Sequence, residues 1–130
     1  MLKRRNKLLE AVRAGEQPRS VLQYWNLGVV KHGWVIQEFR RKFCASFAGV
    51  KFPYAFAIEY QPSIMSQERQ DEYIDREIAS GHSLIGPHKD DFIVTMPNPK
   101  FENERVDVAV YGSRGQQRLV VLWLKTCELH

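Results

Sequence analysis

A short turn of small and polar residues carries the most recognisable chemistry of this sequence. Ser113, Arg114 and Gly115 follow Gly112 and stand directly before a run of helix-forming residues. A serine at a helix start, a glycine that allows close backbone approach and the free N–H groups of the first helical turn together attract anions. Arg114 and Arg118 add positive charge. The turn therefore predicts a phosphate site, although a serine that merely caps a helix is the commoner reason for such a pattern.

A second polar block, Gly86–Asp91, contains His88, Lys89, Asp90 and Asp91. A histidine beside two carboxylates is a possible metal or acid/base group. Three neighbouring ligands at the start of a strand are too few and too close together for a closed metal site, so we predict no metal. Two alternatives stay open: the carboxylates cap backbone N–H groups or pair with Arg114, or the block lines a subunit interface where His88 responds to a phosphate.

The charge of the chain is unevenly distributed. The 130 residues carry a net charge of +4, but residues 1–51 alone carry +8 and the remainder −4. A basic segment attracts the phosphates of nucleic acids in a salt-dependent way, although a charged helix face often serves only to keep a surface hydrated. The candidate DNA-binding residues are Lys3, Arg4, Arg5, Lys7, Arg40, Arg41 and Lys42.

The composition is that of an ordinary globular protein, with 44% hydrophobic and 26% charged residues. No apolar stretch reaches the roughly 18 to 20 residues of a membrane span, and no apolar signal segment follows the basic start of the chain. Cys44 and Cys127 are far apart, without a CxxC motif or a Cys/His cluster. We therefore predict a cytoplasmic protein with free thiols and no membrane partner.

Helical and strand periodicities alternate along the chain, which predicts an α/β (α+β) fold. Ser20 is a plausible N-cap for a long helix whose aromatic residues we expect to pack rather than to stack on bases. The apolar run Leu119–Leu124 predicts a buried last helix. The predicted helices cover residues 2–13, 20–47, 65–79 and 116–128, the predicted strands cover residues 54–60, 91–96 and 106–111, and the aromatic residues are Trp25, Trp34, Phe39 and Phe43.

The two polar blocks occur together in one known family. Gly86–Asp91 resembles the GPHRDD block of the bacterial RecF family of DNA replication and repair proteins, with Lys89 in place of the usual arginine. Ser113–Arg118 resembles the S-x-GQQR signature of the same family. Leu2–Asn6 and Trp25 are weaker matches, so the resemblance extends over nearly the whole chain.

The RecF family belongs to the ABC-type ATPases, which are related to the SMC proteins. The resemblance implies that residues 1–50 form a lobe II-like helical arm and that residues 51–130 form part of an ATPase head, with an ABC-ATPase-type sheet and the signature helix. In that superfamily the signature of one subunit caps the γ-phosphate of ATP held by another. Ser113, Arg114, Gly115, Gln116 and Arg118 would then contact nucleotide in trans, and His88, Lys89, Asp90 and Asp91 would line the interface nearby.

The sequence also departs from the complete ATPase pattern. None of its eight glycines is followed by lysine, so it has no P-loop, and no apolar strand ending in paired acidic residues follows the signature helix. We therefore expect a fragment without Walker A and Walker B motifs that does not hydrolyse ATP alone. ATP and Mg²⁺ are the cofactors of the full-length family, and neither is expected to bind this chain alone.

The resemblance implies a DNA repair and recombination mediator that binds gaps or junctions between single- and double-stranded DNA. It implies RecO and RecR as partners, an ATP-dependent homodimer, and a role in loading RecA during the SOS response. Two alternatives stay open. The chain is a non-enzymatic helical module that docks a protein partner, or it is part of another SMC-like ABC ATPase.

Overall fold

The computed structural model describes residues 1–63 and 66–130. These residues form two compact units, each built from two segments of the chain. Unit 1 comprises Met1–Glu38 and Pro62–Asp90, and unit 2 comprises Phe39–Gln61 and Asp91–His130. The predicted division into residues 1–50 and 51–130 is a statement about the lobes of the family, and it stays a prediction.

Unit 1 is helical, and its helices begin and end close to the predicted positions. Helix α1 is Leu2–Arg13, α2 begins at Val21 and extends to Ser46, and α3 is Gln67–Ser80. Ser66 caps α3, because its side chain accepts a hydrogen bond from the Arg69 N–H, and Gly81 ends the helix in the left-handed conformation. The predicted start of this helix at Met65 lies outside the described residues.

Unit 2 contains a three-stranded antiparallel sheet in the order β1-β2-β3. Strand β1 is Ala57–Gln61, β2 is Asp91–Pro97 and β3 is Arg105–Asp107. All of β1 pairs with Asp91–Thr95, whereas β3 pairs only with Thr95–Pro97. The predicted strand at residues 54–60 therefore begins later than expected, and the strand at residues 91–96 is confirmed.

The third predicted strand is wrong over most of its length. Strand β3 ends at Asp107, and Val108–Tyr111 form a one-turn helix, α4. The carboxylate of Asp107 accepts a hydrogen bond from the Ala109 N–H at 2.8 Å, which caps this helix. Val108 packs into the core with 2% exposure. A local cap and one buried side chain thus outweigh the strand propensity of the segment.

The last helix, α5, is Arg114–Glu128 and covers the core of unit 2. Trp123 packs edge to face against Phe47, with ring centroids 5.6 Å apart. The expected burial of the whole run Leu119–Leu124 is wrong, because Val121 and Leu122 are more than half exposed. Only one face of α5 meets the sheet, as in an ordinary amphipathic helix.

The aromatic residues of α2 also differ from expectation. The buried residues of α2 recur every three or four positions from Leu22 to Gln37, and Trp34 falls outside this stripe. Trp34 is 63% exposed and Phe39 is 71% exposed. Phe43 lies at the border and contacts Phe47. The prediction that these rings are packing residues is therefore wrong for Trp34 and Phe39.

Candidate functional site

The candidate site is the turn Ser113–Arg118 at the start of α5, which we call the signature turn. Ser113 is the N-cap: its Oγ accepts a hydrogen bond from the Gln116 N–H at 3.2 Å. In return the Ser113 N–H donates to the Gln116 side-chain oxygen at 2.8 Å. This reciprocal pair is a capping box, which fixes the entry of the chain into the helix.

The signature turn presents its remaining backbone donors outward. Ser113, Arg114 and Gly115 are all exposed. The capping box uses the N–H groups of Ser113 and Gln116, and the hydrogen bonds found among residues 1–63 and 66–130 leave the N–H groups of Arg114 and Gly115 unused. Two adjacent free donors at the positive end of a helix dipole form an anion-binding arrangement. Arg114 and Arg118 are both exposed at the start of α5.

Gly115 has no reason inside the chain to be glycine. Its backbone lies within the regular helix α5 and needs no positive φ. A Cβ added there would meet only the Ser113 Oγ, at the ordinary contact distance of 3.9 Å. Because glycine lowers helix stability relative to alanine, its presence at this position costs stability without an internal compensation. The space next to Gly115 lies open to a group from outside.

The signature turn is also linked to helix α4. The Gln117 side-chain nitrogen lies 3.4 Å from each of three carbonyl oxygens, those of Val108, Ala109 and Gly112. Gly112 itself lies against α4, since a Cβ there would come within 2.5 Å of the Val108 carbonyl oxygen. Glycine is therefore required at position 112 by the packing of the chain, in contrast to position 115.

The second polar block has a different environment. Ser83–Asp90, which we call the anchored loop, is tied down at both ends within unit 1. His88 Nε2 donates to the Ser83 carbonyl oxygen at 2.8 Å, which requires a proton on that nitrogen. Asp90 Oδ1 accepts hydrogen bonds from the Gln37 side chain and the Ser63 N–H, both at 2.8 Å. Asp90 thus caps the backbone N–H of Ser63, which agrees with the alternative in which a carboxylate of Gly86–Asp91 caps backbone N–H groups.

Lys89 and Asp91 are the other two candidate residues of Gly86–Asp91. Lys89 is exposed, and so is Asp91 at the start of β2. The Asp91 carboxylate accepts a hydrogen bond from the next residue's N–H, that of Phe92. The role of His88, Lys89, Asp90 and Asp91 at a subunit interface stays a prediction. In the described part of the chain, no group of three or more His, Cys, Asp or Glu residues could hold a metal ion.

One of the candidate DNA-binding residues serves another purpose. Arg5 is 1% exposed, and its guanidinium forms an ion pair with Glu77 at 2.5 Å. It also donates to the Asn26 side chain and to the Ser83 hydroxyl. With 1% exposure and four of its five N–H donors bound to three partners, this guanidinium cannot reach a DNA phosphate. We therefore correct the prediction for Arg5.

The remaining basic candidates are placed so that a phosphate could reach most of them. Lys3, Arg4 and Lys7 are exposed on α1, and Arg41 and Lys42 are exposed on α2. Arg40 is half-buried. Charge counting along the sequence could not separate Arg5 from its neighbours. The signal for its burial lay elsewhere, in the polar Asn26 within the buried stripe of α2.

The free thiols agree with the sequence analysis, since both cysteines are unpaired. Burial raises the pKa of the Cys127 thiol, which lies in the core of unit 2, and also raises the pKa of Cys44. No helix among the described residues is long and apolar enough to cross a membrane.

A small antiparallel sheet followed by a serine-capped helix is an arrangement that known structures share. The recombination mediator protein RecF-ATP of the RecFOR pathway superposes with a TM-score of 0.76 over 98% of this chain, at 22% identity. A second RecF structure gives a TM-score of 0.75 at 21% identity. The chain covers 38% of each of these structures. The predicted fold class is thereby confirmed.

Sequence relatives identify the family. The DNA replication and repair protein RecF of Moorella thermoacetica is 34% identical over 98% of this chain, and that of Bacillus cytotoxicus is 31% identical over 99%. No protein-family model matches the sequence. The chain belongs to the RecF family, and it spans 36% and 38% of the length of these two relatives.

Proposed function

We propose that this chain supplies the signature turn of a RecF-type DNA repair ATPase, which contacts a nucleotide held by another polypeptide. The observation that carries the proposal is Gly115, a glycine that the chain itself does not need, beside two free N–H groups on an exposed helix start. The likeness to a RecF-ATP structure supports a nucleotide as the anion. The chain has no P-loop, so the nucleotide must be bound elsewhere first.

The residues of the signature turn fit a terminal phosphate. The N–H groups of Arg114 and Gly115 would donate to its oxygens, and the Ser113 hydroxyl hydrogen stays available because its oxygen serves as the acceptor of the capping box. Arg114 and Arg118 would neutralise the charge of the phosphate. ATP, when bound, supplies the phosphoryl group. The chain's contribution is to orient and to stabilise negative charge, and Mg²⁺ would be held by the P-loop polypeptide.

The DNA part of the function rests on the exposed cations. Lys3, Arg4 and Lys7 follow one another on α1 at helical spacing and are open to solvent. Such a surface binds phosphate backbones without reading sequence. Gaps or single-strand/double-strand junctions as the DNA target, RecO and RecR as partners, an ATP-dependent homodimer, a role in the SOS response and a cytoplasmic location complete the proposal.

A complementation assay tests the nucleotide role. The chain is mixed with a RecF polypeptide that carries the P-loop and the Walker B motif, and ATP hydrolysis is measured at rising ratios. We expect hydrolysis to rise with the fraction of complex and to fall at least tenfold with Ser113→Arg, because the arginine side chain would fill the phosphate position. Phosphate-contact donors of this kind commonly contribute tenfold or more to turnover.

The matched control is Ser66→Arg. Ser66 also caps a helix through a 3.2 Å hydrogen bond from the N–H three residues later, but it belongs to α3 in unit 1. This variant should leave the hydrolysis of the complex close to that of the wild type. A complex that forms but hydrolyses no ATP at any ratio would contradict the signature role and favour the non-enzymatic interaction module.

A further inference from the structure

Strand β2 has an open edge beside helix α4. On the side away from β1, β3 pairs with Thr95–Pro97 only. In the part of the chain that the structure describes, no strand pairs with Asp91–Val94 on that side. An unpaired stretch of backbone donors and acceptors is a template for another strand. Four residues of β2, Asp91–Val94, are therefore available on that side for pairing with another strand.

The vacant stretch has the length of the segment that follows β3. If β3 continued in register beyond the pair Thr95–Asp107, Val108 would face Val94 and Tyr111 would face Asp91. The four residues of α4 would thus fill the edge from end to end. Their sequence, Val-Ala-Val-Tyr, consists mainly of residues that favour strands. A helix of one turn has little stability of its own.

The side chains agree with this continuation. Paired residues point to the same face of a sheet, and Val94 and Val108 are already both buried in the core. The next pair on that face would be Phe92 and Val110. At present these two side chains are 52% and 70% exposed. Extension of β3 would bring them together as a cross-strand apolar pair.

There is room for the extended segment. A groove of about 630 Å³ runs along the open edge of β2. It is bounded on one side by Asp91–Val94 and on the other by Val108 and Ala109, and α5 contributes Gln117, Val120 and Leu124. The groove therefore lies where a continued β3 would run.

Few contacts hold α4 in its helical form. Asp107 caps the Ala109 N–H, and the Gly112 N–H donates to the Val108 carbonyl at 2.9 Å. The Gln117 amide reaches the three carbonyl oxygens only at 3.4 Å, which is long for a hydrogen bond. Pairing along the open edge would offer an alternative set of ladder hydrogen bonds.

We infer that Val108–Tyr111 is a two-state switch, which alternates between helix α4 and a four-residue extension of β3 along the edge of β2. A strand rises about 3.3 Å per residue and a helix about 1.5 Å, so the change would move the start of the signature turn relative to β3 by about 7 Å. The switch would set the position from which Ser113 is presented. It stands independently of the proposed nucleotide role, because it concerns this chain alone.

A disulfide trap tests the switch. In the extended form Phe92 and Val110 face each other with Cα atoms about 5.5 Å apart, within the range of a disulfide. The variant Phe92→Cys/Val110→Cys is incubated with oxidised glutathione, which accepts the two electrons of the thiols. We expect an intramolecular disulfide at several times the yield of the control pair Phe92→Cys/Ala109→Cys, whose side chains would point to opposite faces. A yield equal to that of the control overturns the inference.

Amide hydrogen exchange gives the same test without new cysteines. Val110→Pro removes an N–H that the extended ladder needs, whereas the hydrogen bonds found in the described part of the chain do not use this N–H in the helical form. We expect the Val94 amide to exchange at least twofold faster in Val110→Pro than in the wild type. Asp107→Ala, which removes the cap of α4, should shift exchange in the opposite direction. Equal Val94 exchange in all three proteins also overturns the inference.

Discussion

The anchored loop and the signature turn both come from short glycine-containing blocks of the sequence, yet they are held in opposite ways. The anchored loop is tied to two helices: on α1 the Ser83 hydroxyl accepts from Arg5 and the Ser83 N–H donates to the Asn6 side chain, and on α3 the Glu77 carboxylate accepts from the Leu84 N–H. The signature turn is held mainly by its own capping box. Polar groups of the loop form hydrogen bonds within the fold, whereas the N–H groups of Arg114 and Gly115 in the turn are left unused by the hydrogen bonds found among the described residues.

Residues around the anchored loop stabilise the fold, whereas residues of the signature turn stay available to a ligand. Arg5 and Glu77 are buried together at 1% exposure each, where an unpaired charge would be strongly unfavourable. Ser113 and Gly115 are exposed and contribute little to the core. Substitutions of the buried or hydrogen-bonded partners of the loop should therefore mainly lower stability, whereas those in the turn should lower activity with a change in stability of only about 1 kcal/mol.

The largest effect is expected at the buried ion pair. Glu77→Ala should lower the free energy of unfolding by about 3–5 kcal/mol, because it leaves the guanidinium of Arg5 buried without its charge partner. Urea unfolding of the chain measures this. Asp75→Ala breaks the exposed pair between Asp75 and Arg19 and should change stability by less than about 1 kcal/mol. Equal losses in the two variants would contradict a special role for the buried pair.

Asp90 and its neighbour Asp91 provide the next comparison. Asp90→Ala removes the acceptor of two hydrogen bonds, from Gln37 and Ser63, and should cost about 2 kcal/mol. Asp91→Ala removes only a local contact to the Phe92 N–H and should cost less than about 0.5 kcal/mol. Unfolding midpoints in urea distinguish the two. A larger loss for Asp91 would show that the loop is not anchored by Asp90.

The two serine caps separate stability from activity. Ser113→Ala and Ser66→Ala should each cost about 1 kcal/mol, because each removes one N-cap hydrogen bond of the same length. Only Ser113→Ala should also lower ATP hydrolysis in the complemented complex. If both variants lower hydrolysis equally, loss of stability rather than loss of a phosphate contact explains the effect.

Gly115→Ala should have effects of opposite sign on stability and activity. Alanine should stabilise α5 by about 0.5–1 kcal/mol, because the position is helical and a Cβ fits. In the complemented complex it should reduce ATP hydrolysis, since the methyl group occupies the space left for the phosphate. Thermal unfolding and the hydrolysis assay are compared on the same preparation. Unchanged hydrolysis would remove the main support for the nucleotide role.

The smallest effect concerns the cations on α1. Arg4→Ala should lower the slope of log affinity for duplex DNA against log salt by about 0.9, the value for loss of one phosphate contact. Glu10→Ala, an exposed change on the same helix, should leave the slope unchanged. Fluorescence anisotropy at several salt concentrations measures both. A slope that does not change with Arg4→Ala would exclude this residue from the DNA surface.

Sequence reasoning predicted the helices well because their signals are local. Ser113, Ser66 and Gly81 mark helix ends through hydrogen bonds or backbone conformations that involve only nearby residues. Tertiary context decided the other cases. The buried state of Arg5 depends on Glu77, which is 72 positions away along the chain. The polar Asn26 in the buried stripe of α2 indicates a buried polar contact, but no periodicity or charge count identifies Arg5 and Glu77 as its partners.

Helix α4 shows a second limit of sequence reasoning. The alternation of Val106–Tyr111 predicted a strand, and the propensity is real. A single cap by Asp107 and the packing of Val108 were enough to reverse the outcome over four residues. The turn was predicted to lie at the start of the last helix, where the structure has it, whereas the link from Gln117 back to α4 was not predicted.

The tight contact at Gly112 means that a single substitution there would change the conformation of Val108–Tyr111. A single methyl group at that position would come within 2.5 Å of the Val108 carbonyl oxygen, a distance that Cβ atoms in proteins essentially never show. The helical turn before it would have to open. The substitution Gly112→Ala should therefore exclude the helical form of Val108–Tyr111. The variant would hold this segment in the strand form permanently, without any ligand.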